Sequence, residues 1–298
     1  MTQAFLPINA MSLQNIEETI GFLEPLENRG LKTGLMFLIL GGQKSLVGEL
    51  KDIQYKNFET ATRKIGPVSA IVMVSCLPLS DLDFYHFPQK SADHIKNAVD
   101  FADGIPNRAE NPIVTFHLNT LLKPEEFSKS ADYEKTFDEK IMPILRDLAA
   151  YGRAKNINLK IETTPVPEFG DLSDPELNTL INPFPMYSKY FAKIRSAGLG
   201  IVLDICHTFI LLKELSLPQT LLDEINQLEP GDLIHLADCR GHEEGVALGE
   251  GEINELHTII KKIVAGKLGT VFEINDQSYT DGARPNLEKS INYFLQLI

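Results

Sequence analysis

The chain has 298 residues and a formal charge of −13, with 43% hydrophobic and 23% charged residues. That balance belongs to a globular protein able to bury a full core, and so acidic a surface repels phosphate backbones, so no nucleic-acid partner is expected. No run of 18 apolar residues occurs, so neither a spanning helix nor a membrane partner is expected.

The opening MTQAFLPINAMSLQ lacks the basic start and apolar core of a secretory leader. Three cysteines, Cys76, Cys206 and Cys239, suit a reducing cytoplasm rather than a disulfide framework. Along the chain, strands are predicted at 4–8 (AFLPI), 33–39 (TGLMFLI), 68–75 (VSAIVMVS), 113–118 (IVTFHL), 158–162 (NLKIE), 200–204 (GIVLD), 232–236 (DLIHL) and 270–274 (TVFEI). Between them, stretches such as SLQNIEETIGFLEPLE, SADHIKNAVDFAD, ADYEKTFDEKIMPILRDLAAYGRA and EINELHTIIKKIVAG carry the apolar spacing of amphipathic helices.

Short, unbroken apolar strands suit a parallel sheet covered on both faces. Eight of them, each followed by a helix, predict an α/β fold of the (β/α)8 TIM-barrel kind, as a single domain over residues 1–298. A doubly wound open sheet is the alternative, and Pro7 interrupts the first strand. No GxGxxG follows an early strand, and Gly41-Gly42 lacks a following Gly-Lys-Ser/Thr, so no nucleotide loop is expected. The stretches 120–131 and 165–186 read as long loops that could cover a site.

Polar residues recur where the later strands end. His117 ends the fourth predicted strand, Glu162 the fifth and Asp204 the sixth, while His235 lies in the seventh and Glu273 in the eighth. From Glu162 onward the spacings are 42, 31 and 38 residues, each close to one β/α repeat. In a barrel these ends converge on the face that carries active sites. Carboxylates held so close disfavour joint ionisation unless a counter-charge is present. One divalent cation resolves the conflict, and carboxylate and imidazole ligands suit Mn²⁺, Zn²⁺ or Mg²⁺.

The motifs IETTP around Glu162, VLDICH with Asp204 and His207, HLADCRG with His235, LGEGEI at 248–253 and FEIND with Glu273 together resemble the xylose-isomerase-like barrels. That group includes endonuclease IV and sugar-phosphate isomerases and epimerases. VTFHLN, with His117, extends the resemblance upstream, over about residues 112–275. The resemblance implies one metal ion, Mn²⁺ or Zn²⁺ before Mg²⁺, on Glu162, Asp204, His235 and Glu273. It further implies that the ion polarises a carbonyl while a carboxylate moves the neighbouring proton. Glu162 and Glu273 would combine ligand and acid/base roles, and His117, Glu168, His207 and Arg240 would hold a small, sugar-like substrate.

Endonuclease IV carries three zinc ions, and here the ligands for two of them look incomplete. The third strand offers Cys76 but no histidine, and the Asp-x-His expected before LGEG is replaced by Glu243 and Gly245. His242 would substitute only in a shifted register. A metal-dependent isomerase, epimerase or related lyase is therefore the leading expectation. An abasic-site phosphodiesterase and a non-catalytic barrel are the alternatives, and a homo-oligomer is allowed.

The remaining candidates have plainer readings. His86 reads as a loop residue among aromatics, His94 and His257 as surface or partly packed helix residues, and Cys206 and Cys239 as packed thiols. In LGEGEIN, Gly249 and Gly251 permit a tight turn.

Overall fold

Among its described residues, the computed structural model has ten strands: β1 (Gln3–Ile8), β2 (Lys32–Leu38), β3 (Ser69–Val74), β4 (Ile113–His117), β5 (Asn158–Glu162), β6 (Gly200–Asp204), β7 (Leu233–Leu236), β8 (Asp238–Arg240), β9 (Glu243–Val246) and β10 (Gly269–Phe272). All but β8 and β9 pair in parallel and close in the order β1-β10-β7-β6-β5-β4-β3-β2, a (β/α)8 barrel. The structure describes residues 2–39, 42–74, 82–118, 122–123, 125–127, 131–164, 182–184, 186–276 and 282–298. Cys76, Glu168 and Gly41 lie outside these, as do most of 165–186 and part of 120–131.

One long helix follows each barrel strand: α1 (Leu13–Gly21), α2 (Gly48–Thr62), α3 (Pro88–Gly104), α4 (Met142–Ala154), α5 (Ser188–Ser196), α6 (Ile205–Glu214), α7 (Leu256–Gly266) and α8 (Pro285–Leu297). The two longest predicted helices break. The first divides into α1 and a short helix, Leu23–Glu27. In the second, Pro143 occupies the first turn of α4 and a π-turn, Phe137–Ile141, precedes it. A proline has no amide to give the preceding turn, so the ladder there loosens.

Side chains alternate along each strand. One set, including Leu35, Phe37, Val72, Phe116, Ile161, Leu203 and Phe272, packs outward against the helices. The other fills the barrel with Phe5, Met36, Leu38, Ile71, Met73, Val202, Leu233 and Val271. Gly34 is a glycine because a Cβ there would stand 2.5 Å from the Phe5 ring and 2.7 Å from the Ser69 carbonyl oxygen. Beneath the apolar filling, Lys160 is buried and donates from Nζ to the Gly231 carbonyl at 2.6 Å. Burial lowers its pKa and the Asp232 carboxylate opposes the shift.

Pro7 does not open the barrel. β1 pairs with β10 only at Ala4 and Phe5, so the residue without an amide falls beyond that ladder. Inward alternation then fixes the layer above the filling. His117 and Glu162 are register partners, as are Asp204 and His235. Glu273 follows β10 directly, its amide donating to the Leu236 carbonyl at 3.3 Å.

Candidate metal centre

Four side chains from four adjacent strands converge above the apolar filling. One donor atom from each of Glu162, Asp204, His235 and Glu273 lies within 4.8 Å of every other. His235 Nδ1 stands 2.6 Å from Glu273 Oε2 and 3.2 Å from Glu162 Oε1. On the other side of Glu162, His117 Nε2 is 3.0 Å and His207 Nδ1 3.4 Å from Oε1. His117 and His207 meet edge to face, with ring centroids 5.2 Å apart.

The local fold holds Asp204 and His207 in place. Asp204 is not simply a polar strand tip, because α6 starts at the next residue and Asp204 caps it. Its Oδ1 accepts the His207 amide at 2.6 Å, as an N-cap carboxylate does. The Asp204 amide donates to Thr163 Oγ1 at 2.9 Å. His207 Nδ1 lies 2.8 Å from the Thr163 carbonyl oxygen, which only accepts, so Nδ1 carries the proton. Nε2 then faces Glu244 Oε2 at 3.3 Å.

Electrostatics follow from burial and crowding. Burial alone would raise Glu162, but the His117 and His235 imidazoles outweigh it and hold the carboxyl well below the usual carboxylate range. Burial pushes Asp204 up to about 7, with Glu273 and Glu162 adding to the rise against His207 and His235. Burial would lower His235, yet Glu162 and Glu273 raise it to about 10. His207 is raised well above an ordinary histidine because Asp204 and Glu244 overcome its burial.

These residues fit a divalent ion. Glu162 and His235 are fully buried, yet among the described residues neither carboxylate oxygen nor either ring nitrogen finds an aligned hydrogen bond. The same holds for Glu273 Oε2. Buried polar atoms left this way are costly, and one cation among them would take one donor atom from each of these residues.

The other candidates fall elsewhere. Arg240 is exposed, with Nη1 3.6 Å from Glu243 and Nη2 donating to the Glu250 carbonyl at 2.8 Å, so its guanidinium is not brought into the cluster. His242 turns to Glu214 at 3.3 Å. His86 pairs with Asp83 at 2.7 Å beside Tyr85, and His257 is exposed. His94 is buried within α3 rather than near the surface. Cys206 lies in the first turn of α6, its Sγ donating to the Asp238 carbonyl at 3.1 Å, and Cys239 is buried.

The sequence reading missed the hairpin of β8 and β9, and with it two acidic residues. Glu244, on β9, reaches His207. Asp238, on β8, accepts four amides: Cys239 at 2.9 Å and Ile253 at 3.1 Å on Oδ1, Gly249 at 3.1 Å and Gly251 at 2.9 Å on Oδ2. A Cβ on Gly251 would lie 2.3 Å from both Asp238 Oδ1 and the Cys239 carbonyl oxygen. The paired glycines of LGEG were the available signal, since such close approach of backbone to a carboxylate calls for glycine.

The family model of the xylose isomerase-like TIM barrel matches residues 33–296. The chain belongs to that family. Among solved structures, it is similar to D-psicose 3-epimerase from Clostridium cellulolyticum H10, crystallised with D-tagatose, at a TM-score of 0.55 and 11% identity, covering 99% of this chain and 97% of that one. It is also similar to a xylose isomerase-like TIM barrel protein from Mycobacterium smegmatis in complex with magnesium, at a TM-score of 0.57 and 11% identity over 96% and 87% of the two chains. An AP endonuclease of family 2 from Brucella melitensis matches at a TM-score of 0.55 and 12% identity over 94% and 96%. At such identities the likeness is one of fold. A search of curated protein sequences returns no significant match.

Proposed function

We propose that this protein is a divalent-metal-dependent isomerase or epimerase of small hydroxy-carbonyl compounds. The observation that carries the reading is the convergence of Glu162, Asp204, His235 and Glu273, with the buried Glu162 and His235 lacking aligned hydrogen bonds among the described residues. These four residues would hold Mn²⁺ or Zn²⁺, with Mg²⁺ the third choice. Such an ion supplies Lewis acidity, polarising a carbonyl so that the adjacent C–H becomes acidic.

The side chains supply the rest. Glu162 and Glu273 stand at the two ends of the arc formed by β5, β6, β7 and β10. A substrate lying across that arc meets a carboxylate on each side, one to take a proton from carbon and one to return it. His117 fixes Glu162 from the flank, and His207, oriented by the Thr163 carbonyl, presents Nε2 to a substrate hydroxyl beside Glu244. Glu168 stays a candidate substrate contact, while Arg240, turned to the surface, is assigned none. The structural relatives named as a D-psicose 3-epimerase and as an L-ribulose 3-epimerase support this reaction class.

The test is solvent exchange. Purified protein loaded with Mn²⁺ is incubated with a panel of ketoses in D₂O, and deuterium next to the carbonyl is followed by NMR. Exchange that is lost on chelation and falls by about 10³-fold or more in Glu162→Gln is expected, since general acid–base and metal contributions are both removed. Exchange absent from the whole panel, or indifferent to chelator, would sink the proposal. Cleavage of an abasic duplex that disappears in Glu162→Gln would replace it with the phosphodiesterase reading.

A further inference from the structure

Given the metal centre proposed above, we infer that Thr163 is its positioning residue, holding the Asp204 ligand and the His207 ring through one closed circuit of hydrogen bonds. Thr163 directly follows Glu162 and β5 and is only 1% exposed. A hydroxyl buried so deeply is costly unless it is bonded, and valine has nearly the same shape, so Oγ1 calls for a role. The polar atoms of Thr163 all face the turn from β6 into α6. Its amide donates to the Val202 carbonyl at 2.9 Å. Its Oγ1 accepts the Asp204 amide at 2.9 Å, and its carbonyl accepts His207 Nδ1 at 2.8 Å. Asp204 Oδ1 in turn accepts the His207 amide at 2.6 Å. The circuit runs from Thr163 to Asp204, from Asp204 to His207, and from His207 back to Thr163.

A threonine hydroxyl has one proton to give and two acceptor positions. With the Asp204 amide on one acceptor, the proton of Thr163 is left for Thr208 Oγ1 at 3.1 Å or the Asp204 carbonyl at 3.4 Å. Thr208 is fully buried in α6, so this bond lies out of reach of water. Glu162 and Thr163 are chain neighbours, and the segment that carries one ligand carboxylate therefore also fixes the backbone of the next. Removing a partner that orients a ligand in this way weakens metal binding by about 10- to 100-fold. Valine at position 163 would leave the buried Asp204 amide without its acceptor. The turn would shift to find another, and Asp204 and His207 would move together because the Asp204 carboxylate holds the His207 amide. Serine would keep the acceptor.

The experiment measures Zn²⁺ affinity by competition with a chromophoric chelator, a reading that does not depend on turnover. Thr163→Val is expected to bind Zn²⁺ about 10- to 100-fold more weakly, and Thr163→Ser to stay within about threefold of wild type. Phe58→Leu, in α2 against Phe37 of β2, controls for lost stability: its Tm falls and its affinity does not. If circular dichroism shows Thr163→Val unfolded, Thr163→Cys takes its place, with the same loss expected, because a thiol accepts hydrogen bonds only weakly. Wild-type affinity in a folded Thr163→Val or Thr163→Cys overturns the inference and leaves the metal centre standing, as does an equal loss in Thr163→Ser or Phe58→Leu. Failure of both Thr163→Val and Thr163→Cys to fold, beside a folded Thr163→Ser, makes the hydroxyl a support of the barrel itself and also overturns it. The expected losses without deuterium exchange in any ketose uphold the inference and count against the isomerase reading. A wild type that binds neither Zn²⁺ nor Mn²⁺ overturns both.

Discussion

His235 shows how one side chain ties folding to metal binding. In the metal-free chain its pKa of about 10 exceeds the ordinary value of about 6.5. The stabilisation from its ion pairs with Glu162 and Glu273 is therefore complete below pH 6.5 and is lost as pH rises through about 10. Asp204 acts in the same direction: raised to about 7, it binds protons more tightly folded than unfolded, so stability falls as pH climbs from about 4 through 7. Metal binding needs both groups without their protons, which inverts the trend. The Tm gain on adding Zn²⁺ or Mn²⁺ should grow between pH 6 and pH 8, measured by scanning fluorimetry in buffers of equal ionic strength. A gain that is flat or shrinks with pH would remove these residues from the ligand set.

At the scale of elements, the turn from β7 into the β8–β9 hairpin depends on Asp238. A buried carboxylate accepting four amides replaces the regular ladder that the strand gives up there. Asp238→Ala would strand those amides and cost about 2–4 kcal/mol, given that bonds to a charged group are stronger than neutral ones, as read from urea unfolding. The hairpin also carries Glu244, so the same variant should raise KM more than it lowers kcat. Gly251→Ala should destabilise by a similar route, because its Cβ would collide with Asp238 and the Cys239 carbonyl. Wild-type stability in either variant would show that the loop has other supports.

Across the whole molecule, the barrel separates support from chemistry. Lys160 and its partners close the floor, apolar residues fill the middle, and the polar cluster sits on top. The lower layers hold the strands in register whether or not an ion is bound, so metal should add stability without being needed for folding. Chelation is expected to leave the circular dichroism unchanged. Metal at 100 times its Kd should add about 2.7 kcal/mol, a few degrees in Tm for a chain of this size. Unfolding on chelation would mean that the ion also holds the barrel together.

Much of this was legible from residues alone. The carboxylates that close NLKIE and GIVLD placed Glu162 and Asp204 at strand ends, and the β/α repeat brought those ends to one face of a barrel. Periodicity is a local property, written into neighbouring residues, so the sequence by itself determined the eight barrel strands and the shared level of five polar residues. It did not place Glu244 or Asp238, nor show Arg240 turned outward. Those depend on the antiparallel hairpin of β8 and β9, whose register has no hydrophobic stripe to announce it. Nor could it show that His207 lies in the first turn of a helix capped by Asp204, with its ring fixed by a carbonyl 44 residues away in the chain. Orientation of that kind is decided by contacts between distant segments, which exist only once the barrel has closed.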